Sequence, residues 1–194
     1  MKLVLFDFDG TLTRKDSLLQ FIMYYRGRKT FMKGLLANIP HVAGYFLGSI
    51  SNSQLKEYFL TWFFKGEPIQ KFNLAGNDFA RNVVPTFLKK DARQTIDKYK
   101  DAHHRIVIVT ASCSNWIKSW TDHMGLELIS TELEVADGKV TGKMKGKNCY
   151  GPEKVSRIKA RYNLDDYERI IAYGDSRGDQ QMLELADVRF YRAI

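Results

Sequence analysis

Polar residues able to do chemistry follow three apolar runs of the sequence, at the point where each run ends. The run 3–6 precedes Asp7 and Asp9, the run 106–109 precedes Thr110, and the run 170–173 precedes Asp175. Runs of this length and composition are typical of buried strands. Because ligands bind beyond the carboxyl ends of the strands in open α/β sheets, the three runs predict one site built from distant segments.

Asp7 has the properties of a nucleophile toward phosphorus, since a carboxyl group with an ordinary pKa of about 3.9 is ionised at neutral pH without a neighbouring base. A phosphomonoester is also anionic, and two like charges about 4 Å apart repel by roughly 4 kcal/mol at an effective dielectric near 20. A Mg²⁺ ion between Asp7 and Asp175 would reverse that repulsion, and Mg²⁺ prefers carboxylate, water and phosphate oxygens. The pattern therefore predicts a metal-assisted phosphoryl-transfer site.

Asp9 and Gly10 extend this site. A turn beginning at Gly10 would direct Asp9 toward the leaving-group oxygen, where its carboxyl group can donate a proton during ester cleavage. The same group would then accept a proton from the water that hydrolyses an aspartyl phosphate. Gly10 permits close approach of the backbone to a phosphate, whose oxygens the amide groups of the turn would bind.

Hydroxyl and ammonium groups are expected to hold the phosphoryl oxygens. Thr110 and Ala111 follow the second apolar run, and Ser112 offers a further hydroxyl. Lys154 lies in the first turn of a helix that Pro152 opens. Its ammonium group and the helix N-terminus both favour an anion, so Lys154 is also a candidate phosphate ligand.

The spacing of the apolar runs indicates an insertion. More than a hundred positions separate Asp7 from Thr110, whereas a compact βαβ unit takes about 30 residues. Residues 14–84 carry apolar side chains at the three- to four-residue spacing of helices. We therefore predict an α/β core of residues 1–13 and 85–194, with a small helical cap, residues 14–84, inserted after the first strand.

The α/β pattern resumes after Pro85. In chain order we predict a helix near 92–100, a helix over 115–124, a hairpin within 128–144, a helix from Pro152, a helix over 179–185 and a strand at 188–191. The pair Asp137-Gly138 is typical of a hairpin turn. The basic stretch 139–147 that follows it is expected to be a solvated edge hairpin protected by its charges.

Four ordered motifs resemble those of the haloacid dehalogenase superfamily, and more narrowly those of its phosphoserine-phosphatase-like branch. The motifs are Asp7-Phe8-Asp9-Gly10-Thr11, Thr110 after its apolar strand, Lys154 in the stretch 149–154, and Gly174-Asp175-Ser176-Arg177-Gly178-Asp179. The resemblance spans residues 3–190 and includes the helical insertion. It implies a Rossmann-like α/β core, with a parallel sheet flanked by helices, and a helical C1-type cap.

The resemblance also implies a role for each matching acidic residue. Asp7 is expected to be the nucleophile and a Mg²⁺ ligand. Asp9 is expected to be the general acid and base, with its main-chain carbonyl on the metal. Asp175 would be the remaining carboxylate ligand, and Asp179 would support the metal site indirectly.

The cap is expected to select the leaving group. Asp16 lies nine residues after Asp7, where phosphoserine phosphatases place an acid that meets the amino group of the substrate, so the first expectation is a small phosphorylated metabolite of the phosphoserine type. Five basic residues of the cap could meet a second anionic group, although we favour a solvated surface for them: Arg14, Lys15, Arg26, Arg28 and Lys29.

Aromatic and aliphatic side chains crowd the cap, and we expect most of them to form its core: Phe21, Tyr24, Tyr25, Phe31, Leu35, Leu36, Tyr45, Phe46, Leu47, Trp62, Phe63 and Phe64. The alternative is an apolar entrance with a basic rim that meets lipid phosphates at a membrane surface. Some members of the same branch resemble phosphatidylglycerophosphate phosphatases, so a lipid phosphatase is a second candidate function.

Two classes of protein other than phosphatases were also considered, a nucleic-acid-binding protein and a phosphate-binding regulatory protein. The net charge of +8 would suit a nucleic-acid partner, but the basic residues are dispersed and no nucleic-acid-binding motif accompanies them, so we expect no such partner. A phosphate-binding regulatory protein is the non-enzyme alternative. It would not need the paired Asp7 and Asp9.

Other sequence features concern the cellular setting. Cys113 and Cys149 lack the spacing of a metal or disulfide pair, and the first apolar run is too short for a secretory signal. No segment reaches the roughly 20 apolar residues of a spanning helix. We therefore expect a cytoplasmic protein without stable membrane insertion, and the sequence makes no prediction of oligomeric state.

Overall fold

The structure, a computed structural model, describes all of residues 1–194. Its strands are β1 (Leu3–Phe6), β2 (Arg105–Cys113), β3 (Glu127–Thr131), β4 (Leu133–Ala136), β5 (Lys139–Met144), β6 (Ile170–Gly174) and β7 (Val188–Tyr191). Its α-helices are α1 (Ser17–Ala37), α2 (Ile39–Phe46), α3 (Asn52–Phe64), α4 (Ile69–Asp78), α5 (Ala92–Asp101), α6 (Lys118–Met124), α7 (Pro152–Arg161) and α8 (Gln180–Leu185).

Five strands form a parallel sheet in the order β3, β2, β1, β6, β7, which confirms the predicted α/β fold. The first apolar run is the central strand, and all four of its residues are buried. A parallel strand covered on both faces needs apolar side chains on both, which explains the uninterrupted run. Phe6 at the end of β1 lies opposite Ile108 of β2 and Tyr173 of β6. The residues that follow these three positions therefore lie at the same edge of the sheet.

The helices α1 to α4 lie between β1 and β2 in the chain, as the helical periodicity predicted. Phe21 of α1 packs against the rings of Phe64, Phe72 and Trp116, with centroids 5.2 to 5.6 Å apart. Because Trp116 follows β2, this aromatic cluster joins the helical insertion to the core. We keep the name cap for residues 14–84, whose limits remain a prediction.

The expectation that most large apolar residues of the cap form its core is only partly right. Phe21, Phe63 and Phe64 are buried. Phe46 and Leu47 are more than four-fifths exposed, and α2, which ends at Phe46, contributes no buried residue to the cap. None of the helices is both long enough and apolar enough to cross a lipid bilayer.

The segment predicted as one hairpin divides between two sheets. β3 pairs in parallel with β2, and only β4 and β5 form the antiparallel hairpin, with Asp137 and Gly138 at positive φ in its turn. The prediction was wrong for 128–131, because the residues of a short strand do not reveal which strand it pairs with or in which direction. The helix predicted over 115–124 begins as a 3₁₀ turn at Ser114–Trp116 before α6.

One face of this hairpin packs against the cap, so the expectation of a solvated hairpin is only half right. Val140 and Gly142 are buried, whereas Lys139 and Lys143 are exposed. The Thr61 hydroxyl of α3 donates to the Gly142 carbonyl at 3.2 Å. A Cβ atom on Gly142 would lie 2.4 Å from the Thr61 Cα, so the glycine allows the cap and the core to meet.

Candidate active site

A cleft of about 370 Å³ lies between the carboxyl ends of the central strands and the cap. Its core wall is mainly polar, and its cap wall carries four apolar side chains, from Leu18, Leu19, Leu55 and Phe59. Seven residues of the predicted site line this cleft: Asp7, Asp9, Asp16, Thr110, Ala111, Lys154 and Asp179.

Lys154 is the charged centre of the core wall. Its ammonium group is buried and donates to Asp7 Oδ1 at 2.6 Å, to Asp179 Oδ1 at 2.6 Å and to the Val109 carbonyl at 2.8 Å. Burial acts to lower the pKa of Lys154, but the two carboxylates raise it above its usual value. Lys154 is therefore a fixed positive charge beside Asp7.

Asp7 follows β1 directly, and its carboxylate is held at both oxygens. The Asp7 N–H donates to the Tyr173 carbonyl at 3.0 Å, and the Thr11 hydroxyl lies 3.1 Å from Asp7 Oδ2. Burial raises the pKa of Asp7 to about 6, and Lys154 opposes the rise. Asp7 is therefore largely ionised at pH 7, as a carboxylate nucleophile must be.

Asp179 is fixed by the loop that follows β6. Its Oδ2 accepts hydrogen bonds from the Ser176 hydroxyl at 2.7 Å and from the Ser176 and Asp175 N–H groups at 3.0 and 3.2 Å. Burial acts to raise the pKa of Asp179, but Lys154 and Ser176 hold it below its usual value. Both of its oxygens are therefore hydrogen-bonded within the protein, Oδ1 to Lys154 and Oδ2 to three donors of the loop.

Carboxylate oxygens of Asp7, Asp175 and Asp179 lie within 4.8 Å of one another, close enough to hold a metal ion. Asp175 has the Thr11 hydroxyl at 3.2 Å but no ion-pair partner, and burial raises its pKa. Gly10 has a φ of +85°, and a Cβ there would lie 2.3 Å from Asp175 Oδ2, so the glycine preserves the space of this carboxylate. A hard divalent cation fits these oxygens.

The side chain of Asp9 lies outside that cluster. Its oxygens accept from the Ser17 N–H at 2.7 Å, the Ser17 hydroxyl at 3.0 Å and the Ser112 hydroxyl. Burial and the Asp16 carboxylate raise the pKa of Asp9 to about 8, against the hydrogen bond from Ser112. Burial therefore favours the protonated form of Asp9. Its main-chain carbonyl accepts no main-chain hydrogen bond, so that oxygen remains available to a cation.

The segment after Thr110 leaves the regular ladder. Thr110 pairs with Ser130 of β3 and Cys113 pairs with Thr131, so Ala111 and Ser112 form a bulge. Bulges commonly re-aim groups beside active sites. Here the Thr110 hydroxyl accepts from the Ser112 N–H at 3.0 Å. The Ser112 hydroxyl, expected to meet phosphoryl oxygens, donates to Asp9 instead.

Asp16 lies at the cleft but has a local partner. Its Oδ1 accepts from the Leu19 N–H at 2.9 Å as the N-cap of α1. None of the five basic residues singled out in the cap lines the cleft. Four of the five, Arg14, Lys15, Arg28 and Lys29, are exposed, as expected for a solvated surface. Arg26 differs, because it is partly buried and forms an ion pair with Glu67 at 2.6 Å.

Lys56 is a cleft residue that the sequence analysis missed. From α3 it donates to the Ala111 carbonyl in the bulge and to Asn148 Oδ1 at 3.0 Å. Lys56 precedes Leu60 and Phe63 by four and seven positions, which places a lysine on the apolar face of a helix. A lysine on the apolar face of a predicted helix was the signal in the sequence. The sequence does not show which residues Lys56 would contact, because they lie far away in the chain.

Comparison with known proteins shows which sequences and structures this chain resembles. Residues 4–184 match the family model of haloacid dehalogenase-like hydrolases. The protein CicA of Caulobacter vibrioides is 33% identical over 192 residues, which cover 98% of this chain and 85% of CicA. A phosphoserine phosphatase of Methanocaldococcus jannaschii is 26% identical over 195 residues, covering 97% of this chain and 83% of the relative.

Solved structures show the same fold. A protein of unknown function from Bordetella pertussis Tohama I has a TM-score of 0.84 at 25% identity, with 98% of this chain and 89% of that chain covered. A substrate-bound phosphoserine phosphatase has a TM-score of 0.64 at 23% identity, with 97% and 84% covered. The match to the second structure, at this identity, concerns the fold alone.

Proposed function

Because this chain belongs to the haloacid dehalogenase-like hydrolase family, we propose that it is a Mg²⁺-dependent phosphomonoesterase that acts through an aspartyl-phosphate intermediate. The observation that carries the proposal is geometric: Lys154 bonds to Asp7, carboxylate oxygens of Asp7, Asp175 and Asp179 lie within 4.8 Å of one another, and the side chain of Asp9 lies outside that cluster. Burial raises the pKa of both carboxyl groups of the motif at the end of β1, that of Asp7 to about 6 and that of Asp9 to about 8. At pH 7 one is therefore available as a nucleophile and the other as an acid.

In the first step a carboxylate oxygen of Asp7 attacks phosphorus and forms an oxygen–phosphorus bond. The bond between phosphorus and the ester oxygen breaks, and its electron pair stays with the leaving oxygen. Asp9 gives its proton to that oxygen, so the alcohol leaves neutral and Asp9 becomes a carboxylate. This assignment uses the hydrogen bonds from Ser17 and Ser112 to orient Asp9.

In the second step water attacks the phosphorus of the aspartyl phosphate. Asp9 takes a proton from that water, which restores its carboxyl group, and the remaining hydroxyl stays on phosphorus. The bond between Asp7 and phosphorus breaks, its electron pair returns to the Asp7 carboxylate, and inorganic phosphate leaves. Both carboxyl groups thus regain their starting states.

Lys154 and Thr110 are assigned to the phosphoryl oxygens, with the Ala111 N–H and the Gly10 turn beside them. Lys154 is already positive and lies beside Asp7, but its three N–H donors are taken by Asp7, Asp179 and the Val109 carbonyl, so a phosphoryl oxygen must replace one of these acceptors. Asp7, Asp175 and the main-chain carbonyl of Asp9 would hold Mg²⁺, with Asp179 supporting them. When bound, the ion neutralises charge on the transferring phosphoryl group.

We assign the substrate to the class of small phosphorylated metabolites of the phosphoserine type. Asp16 and Lys56 carry opposite charges on the cap side of the cleft, which suits a substrate with both an amino group and an anionic group. The phosphoserine phosphatase of Methanocaldococcus jannaschii is a relative over almost the whole chain and supports this choice. A lipid phosphate is the second candidate, since four apolar side chains line the cap wall.

The test is a turnover assay with Mg²⁺ on phosphoamino acids, sugar phosphates, phosphocholine and lysophosphatidate. Asp7→Asn should reduce turnover by about 10⁴-fold or more, because the amide is not a nucleophile. Asp137→Asn, in the exposed hairpin turn, is the matched control and should retain activity. Acid quenching of the wild type during turnover, followed by mass spectrometry, should find a phosphoryl group on Asp7.

Retention of full activity by Asp7→Asn would refute the mechanism. Preference for lysophosphatidate over every soluble ester would favour the lipid candidate. Failure to hydrolyse any ester, with phosphate binding retained, would favour the non-enzyme alternative, a phosphate-binding regulatory protein.

A further inference from the structure

The second half of α1, all of α2 and the turn after it leave large apolar side chains in water. We call residues 28–50 the cap tip. Phe46 is 81% exposed and Leu47 is 84% exposed, and Met32, Leu36 and Ile39 are each more than half exposed. Large exposed apolar patches on folded proteins mark interaction sites.

α2 is the clearest case within the cap tip. It has eight residues, none charged and none buried. One side contacts α3, where the rings of His41 and Tyr58 stack with centroids 3.7 Å apart. The helix therefore has apolar surface left over after packing on the cap, and Phe46 and Leu47 stand at its end.

The charges around this apolar surface have one sign. No Asp or Glu occurs between Asp16 and Glu57. Arg28, Lys29 and Lys33 are exposed and none of them forms an ion pair in the structure. The cap tip is thus apolar and purely basic.

Helical spacing places exposed apolar and basic side chains side by side on α1. Arg28, Met32 and Leu36 follow at four-residue intervals and share one face of α1, while Lys29 and Lys33 form the neighbouring row. Gly27, with φ +76° and ψ +159°, interrupts α1 before the cap tip. The helical segment that carries this surface is therefore distinct from the segment at Ser17–Leu19 that faces the cleft.

We propose that the cap tip docks on the surface of an anionic lipid bilayer. Phe46 and Leu47 enter the boundary between head groups and acyl chains, and Arg28, Lys29 and Lys33 meet the lipid phosphates. A second copy of the same surface would oppose like charges. A polynucleotide would neutralise the basic rows but has no acyl region to take up the aliphatic side chains.

Docking of the cap tip would bring the cleft close to the bilayer. The turn after α2 leads within a few residues to Asn52 and Lys56 of α3, which line the cleft. The docking surface does not depend on the proposed reaction, because it contains none of the residues assigned to catalysis. Binding can therefore be measured on the Asp7→Asn variant, whatever the outcome of the turnover assays.

The experiment is co-sedimentation with vesicles of phosphatidylglycerol and phosphatidylcholine in equal parts, and with phosphatidylcholine vesicles alone. The wild type should bind the anionic vesicles, and binding should weaken as salt is raised. The double variant Phe46→Ser/Leu47→Ser should bind at least about tenfold more weakly. Each of Arg28→Gln, Lys29→Gln and Lys33→Gln should weaken binding by about fivefold.

Two exposed positions outside the cap tip provide matched controls. Leu74→Ser on α4 removes an apolar side chain that is 71% exposed, and Lys159→Gln on α7 removes an exposed charge. Both should bind vesicles as the wild type does. Circular dichroism should be the same for all variants.

Three outcomes would overturn the proposal. They are failure of the wild type to bind anionic vesicles, equal binding by Phe46→Ser/Leu47→Ser and Leu74→Ser, and lipid-free dimerisation that the double variant abolishes. The last result would assign the cap tip to a second copy of the chain.

Discussion

The two walls of the cleft hold their polar groups in different ways. On the core wall, Lys154 joins Asp7 to Asp179, and Asp179 is fixed in turn by Ser176. On the cap wall, Lys56 makes two contacts across the cleft and its neighbours are largely apolar. The core groups depend on one another, whereas the cap group can be removed alone. We therefore expect core variants to alter turnover or stability, and cap variants to alter substrate affinity.

After Asp7→Asn, we expect the largest effect from a substitution of Asp9. Asp9 belongs to both walls, since it bonds to Ser17 of the cap and to Ser112 of the core. Asp9→Asn should lower kcat by about 10²- to 10⁴-fold through loss of the acid. The pH profile of kcat/KM gives the second measurement. In the wild type it should fall above a pH of about 8, as Asp9 loses its proton, and below a pH of about 6, as Asp7 gains one.

Bound Mg²⁺ favours the ionised form of Asp7, so the acid limb should lie at or below that value. Asp9→Asn should lack the limb near pH 8 and keep the acid limb. A variant profile that still falls at pH 8 would assign that limb to another group. Asp137→Asn is again the matched control.

Lys154→Met tests whether the stability of the core wall depends on the ion pairs that Lys154 makes with Asp7 and Asp179. Removal of the ammonium leaves Asp7 and Asp179 buried without a counter-charge, and we expect a loss of about 3 to 5 kcal/mol in the free energy of unfolding at pH 8. The loss should shrink as the pH falls, because Asp7, whose pKa burial already raises, then becomes neutral. Urea denaturation at several pH values measures it.

Lys159→Met on the same helix is exposed and should change the unfolding free energy by less than about 0.5 kcal/mol. If Lys154→Met were as stable as this control at pH 8, the three charged groups would not form the interdependent set that the structure indicates.

Lys56→Met should have the smallest effect of the series. It removes a positive charge from the cap wall and leaves Asp7, Asp9 and Lys154 in place, so KM for an anionic soluble ester should rise by about tenfold with little change in kcat. Steady-state kinetics measure both constants. Lys65→Met, at the exposed end of α3, is the control, and a drop in kcat without a rise in KM would place Lys56 with the chemistry rather than with selection.

The sequence predicted more of the residues of the core wall than of the cap wall. Asp7, Lys154 and Asp179 were predicted to lie together, and the structure brings them within hydrogen-bonding distance. Short motifs after apolar strands carry that information, since parallel strands align their ends. The roles assigned to these residues remain proposals for the assays above.

The residues of the cap wall were harder to predict because their contacts join segments that are distant in sequence. Lys56 meets Ala111 and Asn148 across 55 and 92 positions. Helical periodicity predicted that α3 would have an apolar face but could not say which element would cover it. The same limit explains why Phe46 and Leu47 were expected in the core of the cap.

The sequence alone determined the parallel sheet and the convergence of acidic residues at its edge, because uninterrupted apolar runs require burial on both faces and their ends carry the polar groups. Only the tertiary structure decided which hydroxyls orient Asp9, where the hairpin meets the cap and which aromatic residues stay in water. Those features depend on packing between elements far apart in the chain, and no local pattern of side chains specifies such contacts.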